Sequence, residues 1–204
     1  MTTQVDICNL ALTQLGDVAE VVSINPPDGS PQAGHCARFY PVAVRRVLED
    51  HLWSFALARV YPTPIAGIDT DRQGYSYAYA VPSDCVRIAN IVNRQSRRIS
   101  DFLVKSYGNG MAIYTEDDDP VLTYVRYVDT PSAYPGYFVD ALVARLAAYL
   151  VGPIRREDQS SQTAINLLRL YQQALTEART LDSESGIQRA RPTYVASQLR
   201  ARVI

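Results

Sequence analysis

The hydrophobic period of this chain changes twice, and that change is the strongest constraint on its fold. Apolar residues recur at helical spacing over residues 4–58, alternate with small or polar residues between 75 and 128, and return to helical spacing over 137–181. A period of 3.6 residues is typical of an amphipathic helix, whereas a period of two is typical of a strand with one buried face. The sequence therefore predicts two helices, a β segment and two further helices.

Local signals at the N-terminal end predict the first helix. Thr3 with Asp6 resembles a capping box, in which each residue satisfies a backbone donor at the start of a helix. Gly16 supplies a stop. A first helix is therefore expected over residues 4–15.

A second helix is expected after a connector rich in Pro, Asp, Gly and Ser. Ser30 followed by Pro31 is a polar cap with proline at the first helical position. A broad apolar stripe then predicts a helix that continues to about Ala58. Pro41 lies inside it and is expected to kink it, because proline removes one backbone donor.

The β segment is expected to form an antiparallel meander of about five strands. The stretch GYSYAYAVP alternates tyrosines with small residues, which favours a strand. The short segments NRQS, YGNG and EDDDP between later apolar runs are typical of turns. The other four strands are expected over 86–93, 98–104, 111–115 and 121–128.

Helical spacing after residue 137 predicts a third helix that ends near Gly152 and a fourth over 158–181, with DSESG as a break. The four helices can bury their apolar faces only against one another. We therefore expect an α+β, mainly α fold: a four-helix bundle interrupted by a small antiparallel β-meander domain, with an extended C-terminal tail. The expected boundaries are 1–60 for helices 1 and 2, 61–133 for the β domain, 134–185 for helices 3 and 4, and 186–204 for the tail.

Composition narrows the class of function. The net charge is −1, so no global basic field attracts nucleic acid. Lys105 is the only lysine among 20 basic residues, and arginine suits fixed planar contacts at interfaces. The N-terminal stretch lacks a basic segment followed by an apolar run, and the most apolar stretch is interrupted by Asp140 and Arg145. We expect a soluble protein made in a cytoplasm, without a membrane partner.

No catalytic, cofactor or metal site is expected from the residues. Cys8, Cys36 and Cys85 are odd in number and lack CxxC spacing, so neither a disulfide framework nor a zinc ribbon is indicated. His35 and Cys36 are helix neighbours and point about 100° apart, so they cannot pair as base and nucleophile. A phosphate-binding glycine motif is also missing from the sequence.

Two sequence motifs stand on either side of the expected start of the β segment. Trp53, Phe55 and Arg59 stand in WSFALAR, which matches the pattern W-[SN]-F-A-x-x-R. Tyr79, Asp84 and Arg87 stand in YAVPSDCVR, which matches Y-x-x-P-x-D-C-x-R. These motifs resemble the head–tail adaptor family of tailed bacteriophages, nearest to the tail tubular protein A or gatekeeper group of short-tailed phages. With ICNLALTQLG near the start, the resemblance covers roughly residues 5–93 by motif. It implies that these six residues are structural anchors between the helices and the β domain.

The resemblance also implies a function without catalysis. Members of this family form a ring, expected to be a dodecamer, that docks on the portal protein and binds a tail nozzle or tube protein below. Genome DNA passes through the ring without specific binding, so the protein is expected in the virion at the head–tail junction. An acidic lumen would avoid retaining DNA, and the candidates for that lining are Glu116, Asp117, Asp118 and Asp119.

The resemblance implies that the C-terminal tail docks on the portal. The residues expected to make that contact combine arginines with apolar side chains; they are Arg189, Arg191, Tyr194, Leu199, Arg200, Arg202, Val203 and Ile204. Arginine there would meet acidic or carbonyl partners.

Two alternative functions remain open from sequence. A small intracellular cysteine-dependent enzyme would carry a reactive thiol among the three cysteines. A DNA-binding accessory protein would use the arginine-rich tail, with duplex affinity that falls steeply as salt rises.

Overall fold

The computed structural model describes residues 2–67, 70, 73–93, 95, 97–155 and 157–187. The helices are α1 (Gln4–Gln14), α2 (Pro31–Asp50), α3 (Gly136–Ile154) and α4 (Glu157–Ile187). Between α2 and α3 the strands are β1 (Leu57–Val60), β2 (Tyr77–Ala80), β3 (Cys85–Val92), β4 (Phe102–Tyr107), β5 (Gly110–Thr115) and β6 (Val121–Arg126). Short 3-10 helices, Ser54–Ala56 and Pro131–Ala133, flank the strands.

The start of α1 confirms the predicted cap. The Asp6 amide donates to the Thr3 hydroxyl at 3.1 Å, and the Thr3 amide donates to the Asp6 carboxylate at 2.8 Å. The hydrogen bond from the Thr3 amide to the carboxylate lowers the pKa of Asp6 below its ordinary value. Gly16 adopts a φ of +72° directly after the helix, a conformation that glycine reaches without strain.

The predicted start of α2 is also confirmed, but its predicted end is wrong. The Ser30 hydroxyl accepts from the Ala33 amide, and the helix begins at Pro31. The helix ends at Asp50 and not near Ala58, because His51 takes an extended conformation. Residues 57–60, beyond this end, cannot continue the helix, because Leu57–Val60 forms β1 and pairs with β6.

The predicted four-helix bundle with a five-stranded meander is wrong. Six strands form two three-stranded antiparallel sheets, with orders β1-β6-β3 and β2-β5-β4. A meander would place β6 at an edge, yet Val121, Leu122, Tyr124 and Val125 of β6 are all buried. A strand buried on both faces belongs in the middle of a sheet. β5 is central in the second sheet for the same reason, because Ala112 to Thr115 are buried without a break.

The helices are arranged around α3, which packs against each of the other three. α3 is also the one described helix that is long and apolar enough to cross a membrane by length and composition. In this structure it is a core helix, since Phe138, Leu142, Leu146 and Leu150 are fully buried among the other helices.

β6 joins the helical core to the sheets. Val125 belongs to the same apolar cluster as the buried residues of the helices. Leu122 and Tyr124 belong to a second cluster with Ile91 of β3 and Ile113 of β5. Alternate residues of a strand point to opposite faces, so one face of β6 packs on the helices and the other on the second sheet.

α4 extends beyond its predicted end at residue 181 and continues through the DSESG segment to Ile187. The hydroxyls of Thr180 and Ser183 donate to backbone carbonyls four residues earlier, which keeps these polar residues within the helix. The reason for the continuation is Asp182, whose carboxylate is held in the interior, as shown below.

Candidate functional site

An aromatic joint connects the end of α2 with the start of α3. Trp53 is fully buried, and its indole Nε1 donates to the carbonyl of Val47 at 2.7 Å. Its ring meets the Phe138 ring edge-on, at 5.1 Å between centroids. Phe55 also meets Phe138, at 4.9 Å, and Tyr134 at 6.0 Å. The two aromatic residues of the WSFALAR motif therefore lie in the helical core.

A buried carboxylate completes this joint. Asp182 is only 3% exposed, and it accepts from the Ser54 amide at 3.0 and 3.2 Å and from the Ser54 hydroxyl at 2.7 Å. The Tyr137 hydroxyl donates to it at 2.9 Å. His51 Nε2 lies 3.3 Å from the same carboxylate. We call Asp182, Ser54, Tyr137 and His51 the aspartate cluster; it ties the C-terminal end of α4 to the joint.

The aspartate cluster holds the residue types of a Ser–His–Asp triad in a different arrangement. In a triad the histidine stands between the serine and the carboxylate. Here the carboxylate stands between Ser54 and His51, so His51 is not placed to take the serine proton. Burial lowers the pKa of His51 below its ordinary value, and the nearby Asp182 offsets this effect only in part. The geometry is that of a structural tie.

The sequence did not predict this cluster, because DSESG was expected to break the fourth helix before Asp182. Ser54 and Asp182 are 128 residues apart. The signal that was present is an acidic residue on the apolar side of α4, in register with Leu175 and Ala178, which are buried.

The second motif connects the sheets and the helices. The Arg87 guanidinium donates to the carbonyl of Glu49 at 3.0 Å, so β3 is tied to the C-terminal end of α2, where a cation is favoured. Asp84 accepts from the Tyr124 hydroxyl at 3.0 Å. Tyr79 is buried, and burial raises its pKa to about 12. Arg59 is exposed on β1, opposite Thr123.

The predicted acidic loop is the turn between β5 and β6. Glu116 accepts from the Ser76 amide at 3.0 Å and from the Ser76 hydroxyl at 2.7 Å. The carbonyl of Asp117 accepts from the Tyr79 hydroxyl at 3.2 Å. Glu116 and Asp118 are exposed, while Asp117 and Asp119 are half-buried. The loop therefore lies against the second sheet.

The residues expected to dock on the portal, Arg189, Arg191, Tyr194, Leu199, Arg200, Arg202, Val203 and Ile204, lie outside the described residues.

The cysteines do not form a site among the described residues. Cys8 and Cys36 are fully buried between α1 and α2, and their mutual hydrogen bond together with burial raises the pKa of Cys8. Cys85 is half-buried, and burial raises its pKa to about 11. Within the described ranges, histidines, cysteines and carboxylates do not gather in groups of three that would hold a metal ion.

A surface groove of about 500 Å³ lies where α2, α3 and α4 meet. We call it the arginine groove, because Arg46, Arg145 and Arg179 line it together with Asp50, the single acidic residue among the described residues of the lining. The Arg46 guanidinium is 3.1 Å from the Asp50 carboxylate. Arg179 donates to the backbone carbonyl of Asp50 and not to its carboxylate.

Arg145 holds a fixed position in the arginine groove. Its guanidinium stands over the rings of Tyr149, at 4.6 Å, and Tyr171, at 5.2 Å. One nitrogen donates to the Tyr149 hydroxyl at 2.9 Å, but Nε is buried and has no hydrogen-bond partner among the residues that the structure describes. The Tyr171 hydroxyl donates to Asp50, and burial raises the pKa of Tyr171. Chemically, the groove is suited to an anionic group. The sequence offered one signal, Arg145 within the largely apolar stretch of α3.

A comparison with models of protein families and a comparison with curated proteins give no match to this chain.

Proposed function

We propose that this chain is a structural subunit of a ring-shaped adaptor at the head–tail junction of a tailed bacteriophage. In this role it docks on the portal protein, binds a nozzle or tube protein below, and leaves a channel for the genome. The proposal rests first on the resemblance of the two motifs, WSFALAR and YAVPSDCVR.

One structural observation supports it most: the motif residues hold the parts of the molecule together. Trp53 and Phe55 pack at the start of α3, and Arg87 ties β3 to the end of α2. Residues with such roles suit a subunit that works through shape and fixed surfaces. A catalytic motif would instead be expected to bring a nucleophile and a base together in a cleft.

The two alternatives receive less support from the described residues. A cysteine nucleophile needs an accessible thiolate, yet Cys8 and Cys36 are fully buried and the pKa of Cys85 is raised to about 11. DNA binding by charge needs a basic surface, and the chain as a whole has a net charge of −1.

Co-sedimentation with the portal ring encoded in the same genome tests the proposal. Three proteins are compared: the full chain, a truncation after Ile187, and a full-length control in which residues 188–204 keep their composition in scrambled order. We expect the full chain to bind in ring stoichiometry and the other two to remain in the supernatant.

The outcomes separate the family assignment from the tail assignment. Binding by all three proteins would retain the adaptor and overturn portal docking by the tail. Binding by the scrambled control but not by the truncation would show that the composition of the tail suffices. Failure of the full chain to bind would overturn the adaptor proposal.

A further inference from the structure

We propose that the arginine groove binds the acidic turn of a second copy of this chain, through carboxylates of Glu116 and Asp118. The inference rests on the proposed function, because it names the surfaces that meet between neighbouring subunits of the ring.

The arginine groove carries an excess of positive charge. It holds three guanidinium groups and one carboxylate, and that carboxylate is paired with Arg46. Within the described part of the chain, Arg145 and Arg179 form no ion pair with a carboxylate. Arg145 is half-buried, and a partly buried cation without a counter-ion is costly, so an incoming anion would be stabilised beside it.

The shape of the groove favours a protein carboxylate. Arg46 keeps half of its side-chain surface exposed, at 50%, and Leu168 at the rim is 41% exposed, so the groove is open to a short loop. Guanidinium groups bind carboxylates through paired, directional hydrogen bonds. A nucleic-acid backbone fits less well, because a stripe of several basic residues would be needed to follow a strand.

The acidic turn has the matching properties. Glu116 and Asp118 are exposed, and two hydrogen bonds from Ser76 hold the Glu116 carboxylate in a fixed position. An acceptor group that is already ordered loses little conformational entropy on binding. The turn packs against the second sheet, whereas the groove is formed by three helices. A contact between two different surfaces of identical chains is heterologous, and such contacts generate closed rings when the rotation allows it.

Charge reversal tests this pairing. Asp118→Arg and Arg179→Glu each change one surface, and the double variant restores opposite charges with the signs exchanged. We expect each single variant to weaken self-association of the free chain by about tenfold, as for the loss of one close charge pair, and the double variant to recover most of it. Sedimentation velocity up to millimolar protein, at low and high salt, measures the association.

Two control variants carry the same charge changes elsewhere. Arg169→Glu lies on the exposed face of α4 outside the groove, and Glu20→Arg lies on the exposed connector after α1. Both are expected to associate like the unmodified chain. Circular dichroism of each variant shows that the fold is retained.

Cross-linking identifies the contact directly. Single variants Asp118→Cys and Arg179→Cys are mixed and treated with a short bis-maleimide, with Arg169→Cys replacing Arg179→Cys in the control mixture. Mixed dimers well above the control support the pairing. A chain that stays monomeric at all concentrations, a double variant without recovery, or cross-links no stronger than the control would overturn it.

Portal binding is measured separately on the same variants. If the unmodified chain does not bind the portal, the proposed function is overturned. Recovery of self-association by the double variant in free solution would still support the subunit contact. Conversely, the unmodified chain could bind the portal while Asp118→Arg and Arg179→Glu leave its self-association unchanged. That result would overturn the subunit contact and retain the proposed function. If neutralising Glu116 and Asp118 to Gln and Asn increases DNA retention by assembled rings and leaves association unchanged, the turn lines the channel and the contact is wrong.

Discussion

The hydroxyl of Ser54 donates a 2.7 Å hydrogen bond to the carboxylate of Asp182, which follows 128 residues later in the chain. Ser54 precedes the whole β segment, and Asp182 lies near the end of the last helix. This contact therefore joins two segments that all six strands separate in sequence, and it places a buried charge next to the aromatic joint. Its energetic role can be measured directly.

Asp182→Asn should destabilise the protein by about 2 kcal/mol, because hydrogen bonds to a charged acceptor contribute more than neutral ones, and the side-chain NH2 group of Asn would stand where one carboxylate oxygen now accepts from the Ser54 amide. Urea unfolding followed by circular dichroism measures the free energy of unfolding. The matched control Glu184→Gln removes an exposed acid two residues along the same helix and should stay within about 0.5 kcal/mol of the parent. Equal stability of the two variants would contradict a tie at Asp182.

Acid should weaken the fold through His51. Burial lowers its pKa in the folded state, so the unfolded chain takes up a proton first as the pH falls. Stability rises with pH wherever the unfolded state binds more protons. Neutral His51 therefore contributes fully to the free energy of unfolding above the pKa of a histidine in the unfolded chain, about 6.5. This contribution is lost as the pH falls below that value.

The test compares urea midpoints at pH 7.5, 6.5 and 5.5. His51→Gln should reduce the loss of stability over the lower half of this range, because the titrating ring is gone. The control His35→Gln removes the other histidine of the chain and should keep the full loss. A steeper pH dependence in His51→Gln than in the parent would show that the sign is wrong.

Trp53→Phe should cost about 2 kcal/mol, since it removes the indole hydrogen bond to Val47 and leaves a smaller ring in a closed core. Trp53 is the only tryptophan of the chain, so unfolding is followed by circular dichroism and not by fluorescence. Tyr61→Ala removes a ring that is 70% exposed and serves as the comparison. The comparison variant is expected within about 0.5 kcal/mol of the parent.

Thiol labelling should distinguish Cys85 from the other two cysteines. Because its pKa is raised to about 11, Cys85 should react slowly near neutral pH, with a rate that rises roughly tenfold per pH unit until about that value. Cys8 and Cys36 should react only after unfolding, since both are fully buried. Chromogenic disulfide titration with and without denaturant counts the thiols. A rapidly reacting thiol at pH 7 would favour the cysteine-dependent enzyme.

Local signals in the sequence predicted the positions of most elements. The cap at Thr3 and Asp6 is a contact over three residues, so it can be identified in the sequence alone. The five expected strands all overlap observed ones, although β4 begins at Phe102 and not at residue 98. β1 was missed because Leu57–Val60 continues the helical stripe of α2, and only its pairing with β6 makes it a strand.

Pairing and tertiary contacts could not be read in the same way. Which strand is central depends on what covers both of its faces, and for β6 those are the helices on one side and the second sheet on the other. The arginine groove was missed for a similar reason. Arg46, Arg145 and Arg179 belong to three different helices and show no common spacing in the sequence.

The pairing of β1 with β6 also determines which segment of the chain can change in length without moving the helices. Val60 stands opposite Leu122, so the chain departs from the helices and returns to them at neighbouring positions, about one strand spacing of 4.8 Å apart. Residues 61–121 form an excursion with adjacent ends, and its length can change without pulling α2 away from α3. A gene encoding this chain could thus exchange residues 61–121, which hold β3 and the whole second sheet, for another module or for a turn, with β1 and β6 still connecting the helices and with the contact between Arg87 and Glu49 lost from the end of α2.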